Sequence, residues 1–332
     1  MNNLTKSEID IPVAVIFFNR ADSLHSVFDR IRTAKPSKLF LIQDGARDNN
    51  SMDLQGIQEC RQVFDNIDWE CEVYKNYSSK NLGCGQRVSS GISWVFERVD
   101  RAVIIEDDCI IEPTFFNFCQ ELLEKYKDDE RITMISALNH FKTWDCGGNS
   151  YFFARTGAIA AWATWKRVWD NYDFKLSNFE NEYDKKILSY TFNHKRAAKA
   201  RLKNWSEISR KGKDNDVIKY WGPQFGYLKY KSGGMCIVPS HSLSNNVGVN
   251  AKATFSGAGL EFMKKSMRGW FFQKTEPMEF PLVHPNIMQV DTEYDKRYYN
   301  ISYPCKISAL CTKTFYYIKR KIYKVFVKKV KN

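Results

Sequence analysis

Apolar residues along the chain fall first into short unbroken runs. Residues 12–18 (PVAVIFF), 39–42 (LFLI) and 102–105 (AVII) lack the alternation of a half-exposed strand. Each predicts a strand buried on both faces. Between them the period lengthens to three and four. Leu24, Val27, Phe28 and Ile31 make one helical stripe, with Asp22-Ser23 as a cap and Pro36 as the stop. Residues 55–64 make a second helix. Val88, Ile92, Val95 and Phe96 make a third, opened by the Gly-bearing loop 80–85. Phe116, Cys119, Leu122, Leu123 and Tyr126 make a fourth, with Pro113 at its first turn. Residues 71–74 and 132–136 read as further strands. This rhythm predicts an α/β fold with a mostly parallel sheet flanked by helices on both faces. Such sheets bind ligands at the carboxyl ends of their strands. Asn19-Arg20, Asp44-Gly45 and Glu106-Asp107-Asp108 are therefore expected on one rim.

The second half is less regular. Residues 151–153 and 235–239 read as strands, the Trp-rich stretch 159–172 as a helix, and 174–216 as polar, partly helical surface. There is no internal repeat and no low-complexity block.

Composition narrows the class. At 332 residues, 43% hydrophobic and 15% aromatic, the chain has the core for one large α/β domain or one domain with an appendage. The nine cysteines include no CxxC pair, so free thiols in a reducing cytoplasm are the expectation. The polar first residues do not read as a signal peptide, and no apolar run is long enough to span a bilayer. The net charge of +12 is unevenly placed: residues 303–332 hold nine Lys or Arg and no acid, leaving about +3 elsewhere.

The acid triplet is the clearest chemical signal. Adjacent carboxylates after a buried strand repel one another, and a divalent cation relieves the cost. On an extended segment Glu106 and Asp108 would share a side and Asp107 would turn away. A metal-bound diphosphate would complete the balance, with the metal acting as a Lewis acid on the leaving group. Arg20 is open to two readings, a phosphate partner or a surface residue. Lys80 and the backbone of its loop stand at a helix N-terminus suited to phosphate.

These residues also carry a resemblance. PVAVIFFNR (12–20), AKPSKLFLIQDGAR (34–47), KNLGCGQRVSSGISWVFE (80–97) and the stretch 102–136 around AVIIEDDCIIEP resemble bacterial GT-A-fold glycosyltransferases, family 2-like, of the nucleotide-diphospho-sugar transferase group. So do AAWATWKRVWDNYD (160–173), GGMCIVPSHSLSNNVG (233–248) and FPLVHP (280–285). The resemblance covers most of residues 12–285. It implies a GT-A domain over 1–302, with a donor half at about 10–140 and an acceptor half at about 141–302; the composition shift near Tyr303 sets off a basic amphipathic helical tail at 303–332. It implies Asp108 as metal ligand, with Glu106 on the metal's water shell or the donor ribose. Asp107 accompanies them in the donor motif. Asp44 would hold the nucleoside beside Arg20. Lys80, Asn81 and Gly83 would lie along the donor, and Arg87 would reach the diphosphate. The implied reaction is an inverting, Mn²⁺- or Mg²⁺-dependent transfer from a nucleotide-sugar, UDP-sugar favoured, to a glycan or lipid-linked acceptor in surface polysaccharide synthesis. The Trp162–Trp165 segment is either a sugar platform or core packing.

The acceptor half departs from the family pattern. Trp221-Gly222-Pro223-Gln224 stands where relatives carry Trp-Asp, and Ala253-Thr254-Phe255-Ser256 where they carry Ala-Thr-His. Asp214 and Asp216 are then the candidate bases, and His284 the candidate imidazole ligand. A member that binds without turnover, and a nucleotidyltransferase, stand as alternatives. The latter class usually has a Gly-rich basic loop after the first strand, where this chain has Asn19-Arg20-Ala21-Asp22. Finally, the helical stripe Ile307, Leu310, Thr314 or Phe315, Ile318, Ile322, Val325 and Phe326 lies among lysines and an arginine, which suits an anionic membrane surface at the inner face of the plasma membrane. No groove-reading motif points to nucleic acid.

Overall fold

A computed structural model describes residues 5–6, 8–179, 181–248 and 265–305. The stripe at 307–326 and the Ala253–Ser256 segment lie outside the described residues. The element order is β1 (Val13–Phe17), α1 (Ala21–Ala34), β2 (Lys38–Gln43), α2 (Ser51–Val63), β3 (Glu72–Tyr77), α3 (Gly83–Phe96), β4 (Arg101–Glu106), β5 (Cys109–Ile111) and α4 (Thr114–Lys125). There follow β6 (Ile132–Ser136), β7 (Tyr151–Ala154), β8 (Ala161–Trp165), α5 (Lys166–Trp169), α6 (Glu182–Tyr190), α7 (Lys195–Lys213) and α8 (Gly222–Lys231). The last elements are β9 (Met235–Pro239), β10 (Ser244–Asn246), α9 (Lys265–Arg268) and α10 (Thr292–Ser302).

Eight strands form one mixed sheet in the order β3-β2-β1-β4-β8-β6-β9-β7. β1 pairs in parallel with β2 and β4, and β2 with β3. β8 runs antiparallel to β4 and β6, and β7 antiparallel to β9. The fold is thus a mixed α/β, Rossmann-like architecture whose main sheet takes strands from both halves of the chain, with β5 and β10 forming a separate antiparallel pair. Every residue of β1 is buried, as its unbroken apolar run demands. From β1 the chain steps outward to β2 and β3, then returns through α3 to place β4 on the other side of β1. Right-handed crossovers in opposite directions put α1 and α2 on one face and α3 on the other. The strand order reverses between β1 and β4, which makes their carboxyl ends the switch point of the sheet, where such folds place ligands.

Two local expectations are corrected. The Trp-rich stretch is not a helix: Ala161–Trp165 is a strand, wholly buried between β4 and β6, followed by one helical turn. A run buried on all sides satisfies either period, so periodicity could not separate the two. Trp162 stacks on Trp221 at 5.8 Å with no exposed surface, so it packs the core and offers no sugar platform. And α1 begins at Ala21 with Arg20 as its N-cap residue and no side-chain cap; the Ser23 hydroxyl instead donates back to the Arg20 carbonyl.

A second, smaller core sits apart from the sheet. Leu188 of α6, Trp205 and Ile208 of α7, Tyr227 and Tyr230 of α8, and Tyr299 of α10 pack together.

Candidate active site

The rim is assembled by side chains that tie strand ends to one another. Gln43, fully buried at the end of β2, donates to the carbonyls of Phe18 (2.9 Å) and Ile57 (3.0 Å) and accepts from Arg61 Nε (2.8 Å). Asp44 accepts main-chain N–H groups of Gly45 (3.0 Å), Leu82 (2.9 Å) and Gly83 (2.9 Å). It therefore caps the entrance to α3 from a neighbouring loop. Asn81 Nδ2 donates to the Gly45 carbonyl at 2.7 Å. The two loops press so closely that a Cβ at Gly45 would lie 2.6 Å from the Lys80 carbonyl carbon. Gly83 has φ +75°, a left-handed turn into the helix.

These contacts redraw the roles implied for this part of the rim. Any nucleoside contact of Asp44 shares a carboxylate already committed to the α3 entrance. Arg87 is buried, with Nε on the Gln43 carbonyl (3.1 Å) and Nη2 on Asn76 Oδ1 (2.9 Å). It ties the ends of β2 and β3 together and does not reach toward a diphosphate. Lys80 is the one exposed cation of its loop.

Across the switch point, Arg20 follows β1 and the acids follow β4. Arg20 bridges two of them: Nη2 pairs with Asp107 Oδ1, Nε donates to Asp107 Oδ2 at 3.3 Å, and Nη1 donates to Asp108 Oδ2 at 3.1 Å. Burial works against the guanidinium, but Asp107 and Asp108 outweigh it, so Arg20 stays charged. Asp107 also accepts from the Phe18 N–H at 3.3 Å, and burial raises its pKa against the pull of Arg20. The side-by-side alternation expected for the triplet ends at Glu106, because Asp107 and Asp108 lie in a turn. Asp107 and Asp108 therefore share Arg20 and are not turned to opposite sides.

Glu106 differs from both. Its carboxylate accepts no hydrogen bond among the described residues. Burial, then the charges of Asp108 and Asp107, push it up to about 8, with Arg20 opposing. Three acids around one guanidinium leave this rim with uncompensated negative charge.

Sequence reasoning missed three further parts of this site. Asn246 Nδ2 donates to Asp108 Oδ1 at 3.3 Å. A Cβ at Gly248 would lie 2.0 Å from Asp108 Oδ2, so that backbone closes directly over the carboxylate. Cys84 shares the field of Glu106, Asp44 and Asp108, and burial first, then those charges, push its thiol up to about 12. The Ser-Asn-Asn-Val-Gly run at 244–248 was the available signal.

The remaining candidates lie elsewhere. His284 contacts Tyr151 (3.0 Å, Nδ1 to Oη) and Glu121 (3.1 Å, Nε2 to Oε1). It packs against β7 at the sheet edge and α4, so it is not assembled with Asp108 as a ligand. Among the described residues no group of three His, Cys, Asp or Glu side chains is placed to hold a metal. Any metal here would rely on Asp108 and Glu106 with oxygens of a bound diphosphate, a donor set that suits Mg²⁺ or Mn²⁺. Asp214 pairs with Arg210 at 2.7 Å, and Asp216 lies 3.9 Å from the same guanidinium; both are exposed. The chain just beyond them crosses the rim, for a Cβ at Gly85 of α3 would lie 2.3 Å from the Ile218 carbonyl oxygen. A cavity of about 620 Å³ opens elsewhere, between α1 and the turn after α2, lined by His25, Asp29, Arg32 and Asp68 among others. The exposed Arg32–Asp68 pair accounts for its polarity, and it shares no residue with the rim.

No protein-family model matches the sequence, and no curated protein matches it. Among solved structures the chain is similar to a UDP-glucose pyrophosphorylase complexed with UDP-glucose, at 7% identity and TM-score 0.37, over 70% of this chain and 91% of that one. It is similar to HddC from Yersinia pseudotuberculosis at 10% identity and TM-score 0.30, over 49% and 80%. It is also similar to a 4-diphosphocytidyl-2C-methyl-D-erythritol synthase from Anaerococcus prevotii at 10% and 0.30, over 48% and 73%. Likenesses this remote carry no weight for chemistry or substrate.

Proposed function

We propose that the chain is a glycosyltransferase of the GT-A type. It would take a nucleotide-sugar donor, with UDP-sugar favoured, and transfer the sugar to a glycan or lipid-linked acceptor. The observation that carries this reading is the unpaired Glu106 carboxyl beside Asp108 at the β1/β4 switch point. There, a divalent cation and a diphosphate together would neutralise what the protein leaves uncompensated.

Asp108 and Glu106 would hold Mn²⁺ or Mg²⁺, which supplies Lewis-acid stabilisation of the leaving diphosphate. Arg20 keeps Asp107 and Asp108 in register and adds positive charge at the same rim. Lys80 lies on the loop that precedes α3, whose N-terminus favours anions. Asp216 is only loosely held by Arg210 and stands on the segment that leads over α3. It is our candidate for the base that takes the acceptor hydroxyl proton, with Asp214 behind it. The short β1–α1 junction, Phe18 to Arg20, leaves no room for a Gly-rich phosphate loop, which speaks against a nucleotidyltransferase.

A nucleotide-release screen of UDP- and GDP-sugars with Mn²⁺ or Mg²⁺ tests the proposal. Metal-dependent release, lost in Asp108→Ala by at least about a hundredfold, is the expected result. No release and no nucleotide-induced thermal shift with any donor would reject it. A thermal shift without release would select the non-catalytic alternative. Pyrophosphate-dependent nucleotide exchange would select a nucleotidyltransferase.

A further inference from the structure

The α6–α7 hairpin carries a surface that the proposed site does not use. Asn181 caps α6 by accepting from Tyr183 and Asp184 N–H groups, and His194 Nδ1 caps α7 by accepting from Ala197 at 3.1 Å. The undersides are conventional: Leu188, Ala197, Ala198, Trp205 and Ile208 fill the smaller core. The outer side of α6 is not. Tyr183, Ile187 and Tyr190 fall at i, i+4 and i+7, one stripe of the helix, and are 68%, 44% and 68% exposed. A solvated helix face is normally polar.

The neighbouring charge is one-sided. The exposed charged positions in the first half of α7 are Lys195, Arg196, Lys199 and Lys203, with no acid among them; further along, Arg210 is matched by Asp214, and α6 adds Asp184 to the acidic side. Glu207 already pairs with Lys211 (3.4 Å), and Glu182 of α6 with Lys185 (2.6 Å). Lys186, Lys195, Lys199 and Lys203 make no ion pair among the described residues. Arg196 Nε donates to the Tyr303 carbonyl at 2.9 Å, so the chain leaves α10 beside the basic face of α7. The nine Lys or Arg of residues 303–332 follow directly from that point.

We propose that the α6–α7 hairpin is a membrane-docking face that takes an anionic phospholipid surface. Tyrosines and an isoleucine would enter the headgroup layer while the lysines meet lipid phosphates. The charge selects this occupant: a second copy of the chain would bring like-charged helices together, and aromatic residues in a stripe add nothing to phosphate contacts along a duplex. The proposal deepens the reading of a lipid-linked acceptor, and rests on that reading only for its purpose.

The test is flotation of the full chain with vesicles of phosphatidylcholine alone, or with one-third phosphatidylglycerol. Two triple variants at exposed positions serve as probes, Lys195→Gln/Lys199→Gln/Lys203→Gln and Tyr183→Ser/Ile187→Ser/Tyr190→Ser. The parent should bind only the anionic vesicles. At about fivefold per cation, the lysine variant should lose on the order of a hundredfold in partitioning. The tyrosine variant should lose roughly tenfold or more. Unchanged partitioning in both variants overturns the proposal and leaves residues 306–332 as the sole contact. Equal binding to neutral vesicles, a dimer that dissociates in the tyrosine variant, or tighter binding to duplex DNA than to anionic vesicles overturns it as well. Nucleotide release is followed in parallel without vesicles. Its failure in the parent rejects the glycosyltransferase reading and leaves intact vesicle binding as support for the docking face.

Discussion

Replacing Glu106 with Gln isolates the feature on which the proposed site rests. The side chain keeps its shape and loses its charge. In the folded chain Glu106 titrates near 8, against an ordinary value of 4.5, chiefly because of burial and then because of Asp108 and Asp107. At about 1.4 kcal/mol per unit, the shift has an upper bound of about 5 kcal/mol. Partial solvent access to the rim brings the working figure to roughly 2–3 kcal/mol. The sign follows from proton counting. Between about 4.5 and 8 the native chain holds a proton that the unfolded chain has lost, so native stability falls as pH rises through that window. The contribution is complete below the lower value and gone above the higher one. Urea unfolding of parent and Glu106→Gln at pH 5 and pH 8.5 reads this directly, because other titrating groups cancel in the difference. The two proteins should agree within about 0.5 kcal/mol at pH 5, and the variant should be the more stable by roughly 2–3 kcal/mol at pH 8.5. Adding Mn²⁺ with UDP should remove the parent's penalty at pH 8.5 and leave the variant unmoved. An equal difference at both pH values, or a variant less stable at pH 8.5, would refute the claim that Glu106 is an uncompensated acid.

Other consequences are smaller and separable. Gly45→Ala drives a Cβ into the Lys80 main chain and should lower stability by about 1–3 kcal/mol in urea unfolding. Asp44→Asn sets an amide NH₂ against main-chain donors of Leu82 or Gly83; a loss of about 1–3 kcal/mol should accompany faster amide hydrogen exchange at the first turn of α3. His284→Ala should leave the Mn²⁺ dependence of nucleotide release unchanged, and a tenfold rise in the metal concentration required would reinstate His284 as a ligand.

How far the sequence reached depends on whether a feature is local. The buried runs at β1, β2 and β4 were legible because they are short, rich in β-branched and aromatic residues, and separated by helical stripes, as strands covered on both faces are. The same reasoning failed at Ala161–Trp165. There the small and large residues are buried all round, and only the partners β4 and β6 make the segment a strand. Asp44-Gly45 and the loop before α3 were legible as rim elements from their place in the α/β rhythm. That Asp44 would accept Leu82 and Gly83 N–H groups was not, because the contact spans 38 and 39 residues and depends on how closely two loops approach.

The acid triplet marks the boundary most clearly. Its oddity is local: three charges after an apolar strand cost free energy wherever the chain goes. How the cost is met is not local. Arg20 was readable either as a phosphate partner or as a surface residue, and strand alternation assigned Asp107 away from Asp108. The second reading, of Asp107, assumed that the strand continues. It stops at Glu106, and the turn brings Asp107 and Asp108 to the same guanidinium, so Arg20 pairs directly with those two and acts on Glu106 only through its nearby charge. What remains is Glu106, whose isolation is a consequence of that pairing. The strongest reason to place a cation at this rim is therefore the carboxyl group that Arg20 leaves out, and it emerges only once the turn after β4 is known.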